Sequence, residues 1–153
     1  VAHAAEFLLN EQRHGYPEGA HQLEFPVLSS AGVRFETHRT TLFQRLIVLD
    51  SLLDAQGAGI PLDLEIVQNE VKHCIASKHP FVRGGWSYMP HLPQFPPDTD
   101  DLAAVLHVAA RVGNDTLSAI CDDALQVVFE SAAREDGSVE TWILDQSDVT
   151  PHG

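Results

Sequence analysis

Three carboxylates, Asp98, Asp100 and Asp101, fall within four residues, behind Pro96 and Pro97 and ahead of the apolar run Leu102-Ala103-Ala104-Val105-Leu106. Carboxylates this close cannot all ionise cheaply once water is excluded, because burial and like charge both raise a carboxyl pKa. A carboxylic acid that stays neutral at physiological pH can give its proton to a very weak base. The same residues also suit a helix start. Asp98 or Thr99 can cap free N–H groups, and Asp100 and Asp101 would face the positive end of the helix dipole. That end favours the ionised form and works against a stored proton. The motif alone therefore leaves a cap and an acid both open.

The elements that must position these residues read as helices. Apolar residues at spacings of three and four mark residues 1–13, 39–56, 62–77, 99–112 and 115–134. Leu42, Phe43, Leu46, Ile47, Leu49, Leu52 and Leu53 carry the pattern in the second segment, and Pro61 opens the third. Gly57, Gly59 and Gly113 sit in the short joins, as expected of helix C-caps. The joins after the first and third segments are long and collect proline, glycine and aromatic residues. Helix, tight turn, helix, long loop then repeats, with Arg83-Gly84-Gly85-Trp86 and Glu135-Asp136-Gly137-Ser138 closing successive units. Such a period suits an array in which each helical hairpin buries its inner face against its neighbours. Helix 99–112 reads as an inner helix. Helix 62–77, with Glu65, Gln68, Asn69, Glu70 and Lys72, reads as an outer one. The expected fold class is all-α, an (α/α) toroid of helical hairpins enclosing a cavity, with residues 1–153 as one domain forming part of the double ring.

Composition narrows the partners. The chain of 153 residues is long enough for a real core, and its 44% hydrophobic and 20% charged content is that of a globular protein. A net charge of −13 argues against nucleic acid and against a strongly anionic membrane surface, since no basic stripe exists to meet phosphates. No apolar run reaches the length of a membrane span. Cys74 and Cys121 lie in apolar helical patterns and read as buried thiols, which points to a reducing, cytoplasmic compartment with peripheral contact to a membrane left open. Both ends read as cut, so the remainder of a longer chain or a second copy is expected as a partner.

In three places the chain resembles the class II terpene cyclase family, to which squalene–hopene cyclase belongs. The Asp-x-Asp-Asp motif is Asp98-Thr99-Asp100-Asp101. A Gly-Gly-aromatic stretch with a Pro-Asp approach is Gly84-Gly85-Trp86-Ser87-Tyr88 and Pro97-Asp98. A downstream Asp-Val-Thr-x-His is Asp148-Val149-Thr150-Pro151-His152. The order is that of the family, and the likeness covers residues 78–152. Leu102-Ala103 stands where the family continues with Thr-Ala, and the loop Asp136-Gly137-Ser138-Val139-Glu140-Thr141-Trp142 lacks the usual Gly-Gly-Trp.

The resemblance implies proton-initiated cyclisation of a linear isoprenoid, either squalene-like or a prenyl diphosphate. Asp100 would be the Brønsted acid, flanked and tuned by Asp98 and Asp101, with His152 hydrogen-bonded to it. Tyr88 matches an aromatic position in the family's cavity wall, and Trp86 and Trp142 are candidates by proximity; aromatic faces stabilise a cation by about 0.5–2 kcal/mol each. Trp86 also suits a structural clamp against a helix end. No cofactor is expected, and magnesium only with a diphosphate substrate. A competing reading is a non-catalytic helical domain that binds a lipid or a protein. Cys121-Asp122-Asp123 does not supply the zinc site a protein prenyltransferase would need.

Overall fold

The computed structural model describes residues 2–80, 83 and 85–144. Helix α1 (Ala2–Arg13) comes first. It is followed by a β-hairpin of β1 (His21–Ser29) and β2 (Gly32–Thr40). Helices α2 (Leu42–Gly57), α3 (Leu64–Ala76), α4 (Thr99–Val112) and α5 (Asp115–Val127) complete the order, and α5 runs on into a π-helical turn, Val128–Ala132.

The hairpin overturns the all-α toroid. The chain is a mixed α and β structure, with an antiparallel two-stranded sheet inserted between α1 and α2. The register runs from His21 opposite Thr40 to Ser29 opposite Gly32. Residues 21–40 are not a loop because their burial alternates with period two. Phe25, Val27, Glu36 and His38 are half-buried, whereas Glu24, Pro26, Phe35 and Thr37 are exposed. Gly32 closes the turn at φ +116°, in a region L-residues rarely adopt. The second helix accordingly starts at Leu42 and not at residue 39, since Arg39 and Thr40 belong to β2.

The helices form where spacing predicted them. Leu42, Leu46, Leu49 and Leu52 put one buried stripe on α2. Leu102, Val105, Val108 and Ala109 do the same on α4. Side-chain caps fix three starts. Asp63 accepts from Glu65 N–H, Asp98 from Asp101 N–H, and Asn114 from Leu117 N–H. Each such cap stabilises a helix by about 1 kcal/mol. Gly113 ends α4 in the left-handed conformation. Helix α4 packs against α2 on one side and α5 on the other, and α2 also meets α1 and α3. One cluster of buried side chains joins α2, α3, α4 and α5 with Trp86 and Ile143. Cys74 and Cys121 are buried free thiols in this cluster, pushed up to about 12 and about 11 by burial, so both are protonated and unreactive.

A polar knot ties the first three helices. Arg45 on α2 donates through Nε and Nη2 to Glu70 of α3, at 2.7 and 3.1 Å. Gln12 of α1 donates to the same carboxylate at 3.1 Å. The ring of buried Tyr16 lies 5.0 Å from the Arg45 guanidinium. No helix among the described residues is long and apolar enough to cross a membrane.

Candidate active site

The start of α4 is braced on both flanks by backbone. Asp98 N–H donates to Trp86 O at 3.0 Å, Thr99 N–H to Thr141 O at 2.9 Å, and Ile143 N–H to Pro97 O at 2.8 Å. The loops around Trp86 and Trp142 therefore lie either side of the acid motif. Their approach requires a glycine at 85, where an added Cβ would sit 2.4 Å from Pro97 Cβ. Trp86 is fully buried, and its indole N–H donates to the Cys74 carbonyl at 2.7 Å, just inside the end of α3. It clamps the loop from beneath and does not line the cleft described below.

The three aspartates divide the work that the sequence left open. Asp98 is the cap: it is extended, buried, and its Oδ1 accepts from Asp101 N–H at 2.8 Å. Asp101 is the buried carboxyl. Only 1% of it is exposed, and among the described residues no donor meets either of its carboxyl oxygens. Desolvation, followed by the charges of Asp98 and Asp100, pushes it up to about 8. Ionised, it would be an unpaired buried charge; protonated, it becomes a donor that can turn towards Asp98. Burial here outweighs the helix dipole, which falls off within one turn and is already partly satisfied by Asp98. Asp100, the expected acid, lies at the exposed rim. The sequestered carboxyl is thus the residue after the one the resemblance points to.

All three aspartates border one cleft of about 280 Å³, whose other described walls are Phe43, Tyr88, Phe95, Thr141 and Trp142. Phe95 and Trp142 meet edge to face, with ring centroids 6.4 Å apart, and Phe25 of the hairpin meets Phe95 the same way at 5.3 Å. The hairpin therefore backs one wall of the cleft. Its first register pair also holds Tyr88. His21 Nδ1 hydrogen-bonds to the Tyr88 hydroxyl, and Thr40 Oγ1 donates to the Tyr88 carbonyl at 2.5 Å. A larger groove of about 440 Å³ runs beside α3, between Leu64 and Thr116, but Lys72 is its only charged side chain. It offers no convergent set of titratable groups among the described residues, so the smaller, acid-bordered cleft is the candidate site.

Of the residues singled out by sequence, Asp98, Asp100, Asp101, Tyr88 and Trp142 converge on this cleft and Trp86 lies under it. His152 lies outside the described residues. Sequence reasoning missed Phe43, Phe95, Thr141 and His21. Phe95 could have been found in the aromatic and proline-rich approach to Asp98. His21 could not, because its place is set by pairing across the hairpin, to which the helical spacing in the sequence gives no clue. Among the described residues, no three His, Cys, Asp or Glu side chains are arranged to hold a metal ion. No protein-family model, curated protein or solved structure matches this chain.

Proposed function

We propose that the protein starts the cyclisation of a linear isoprenoid by protonating a carbon–carbon double bond or epoxide. The observation that carries this reading is Asp101: a fully buried carboxyl beside two other aspartates, with no donor to it among the described residues, at the edge of an aromatic cleft. Few reactions need so weak a base to be protonated, and a site that stores a proton among like charges suits them. Asp100 at the rim is the donor. A substrate filling the cleft covers it and excludes water. Asp98 holds the motif on the helix end, and neutral Asp101 spares the cluster a third charge. The resemblance adds His152 as a partner for the acid. Phe43, Tyr88, Phe95 and Trp142 supply ring faces to a migrating carbocation while offering it few nucleophiles.

A second reading has one observation in its favour. The outward face of the hairpin leaves Leu28, Val33 and Phe35 exposed at 85%, 59% and 66%. That apolar face fits a domain that binds a lipid or protein without turning anything over.

Incubation of the full-length protein with squalene, and with farnesyl or geranylgeranyl diphosphate in the presence of magnesium, separates the two. Cyclic products from the wild type, lost in both Asp100→Asn and Asp101→Asn, support the cyclase. Failure of the wild type to cyclise any of the three leaves the binding domain.

A further inference from the structure

A reaction opened by adding a proton must close by releasing one or by adding water. As rings close, the positive charge moves along the substrate, so the proton leaves from a carbon remote from the one that received it. The group that takes it must therefore be in the cleft but distinct from the acid. Among the described residues bordering the cleft, apart from the aspartates, Phe43 and Phe95 carry no basic atom and the Trp142 indole can only donate. Tyr88 and Thr141 remain. Tyr88 alone has a base behind it. Its hydroxyl is hydrogen-bonded to His21 Nδ1, with the two rings 5.9 Å apart and tilted by 48°. A phenol that donates to an imidazole nitrogen keeps a lone pair on its oxygen that can accept.

We infer that Tyr88 and His21 are the proton exit of the cleft. The step rests on the cyclase reading above. The substrate C–H bond breaks, and its electron pair becomes the new C=C bond that quenches the adjacent cation. The proton goes to the Tyr88 oxygen while the phenol's own proton passes to His21 Nδ1. The imidazolium so formed lies at the surface, where His21 is exposed, and loses its proton to water. Solvent returns one proton to the carboxylate left at Asp100, and the cycle balances. The hairpin is built for this placement. His21 and Thr40 face each other at its base and hold Tyr88 at two points, hydroxyl and carbonyl. Tyr88 touches the substrate; His21 acts through it.

The experiment uses the full-length protein with squalene and with geranylgeranyl diphosphate as separate probes. Tyr88→Phe keeps the ring face but removes the oxygen. It is expected to lower turnover by about 10²-fold, the usual scale for a general base, and to raise the share of water-quenched products. His21→Ala is expected to fall similarly, and imidazole added to the solution should restore it, whereas pyrrole, of similar shape but without a basic nitrogen, should not. Unchanged turnover and products in Tyr88→Phe, or equal rescue of His21→Ala by pyrrole, overturns the exit. The cyclase reading survives either result so long as the wild type forms rings and Asp100→Asn does not. A wild type that cyclises neither probe overturns both.

Discussion

At the scale of single residues, the decisive quantity is the environment of one carboxyl. Asp101 is raised from 3.8 to about 8 chiefly by burial, then by its two acidic neighbours. In the unfolded chain it releases its proton near pH 4, while the folded state keeps it up to about pH 8. Between these values the folded state binds more protons than the unfolded one, so this residue makes stability fall as pH rises, and above about pH 8 the loss is complete. Asp101→Asn has nearly the same shape and no charge to desolvate. Thermal melts should therefore show the variant gaining on the wild type as pH rises from about 4 to about 8, with the two close together at the acid end. A difference that did not move with pH would mean that the carboxyl finds a hidden donor or water and is not stored as an acid. This is also where sequence reading reached its limit. The crowding of Asp98, Asp100 and Asp101 was legible, but which of them was cap, rim and buried acid depended on the braces from Trp86 and Thr141. Those arise from loops with no period to read.

At the scale of elements, legibility followed periodicity. The five helices lie close to the segments marked by apolar spacing, because Leu42, Leu46, Leu49 and their counterparts on α4 must share one face to be buried. The hairpin was passed over although Leu23, Phe25 and Val27 alternate ahead of the turn, and Val33 and Phe35 alternate after it. Proline is disfavoured inside a strand, and Pro26 falls within β1. A two-stranded ribbon tolerates it, since every other N–H there points away from the partner. Neither was the knot at Arg45 and Glu70 foreseen, because Glu70 had been assigned to an outer, solvated face, yet only 4% of it is exposed. Its carboxylate joins α1, α2 and α3, so removing one partner strands a buried charge. Arg45→Met should lower stability by about 3 kcal/mol, the low end for a buried pair because Arg45 keeps a fifth of its side chain in water. Replacing Glu70 with leucine as well should recover most of that loss in urea denaturation, since no charge is then left unpaired. Recovery of little or nothing would show that packing of the arginine stem, and not its charge, holds the helices together.

At the scale of the whole molecule, 22 acidic residues face 9 basic ones, a net charge of −13. Arg34, Arg45, Arg83, Arg111 and Arg134 are each already held by a carboxylate. Among the described residues, the cleft itself is bordered by three aspartates and no lysine or arginine. A negatively charged ligand therefore approaches against the summed field, and one without charge does not feel it. Raising the salt from 0.01 M to 0.15 M shortens the Debye length from about 30 Å to about 8 Å and removes most of that long-range repulsion. For a prenyl diphosphate, KM should fall over this range, mainly through faster association. For squalene it should stay flat once detergent is held constant. The comparison also reads the substrate class from electrostatics alone. A diphosphate that bound more tightly at low salt would require a cationic pocket strong enough to reverse the sign of the field at the cleft, and the described residues that border it contain no group able to supply one.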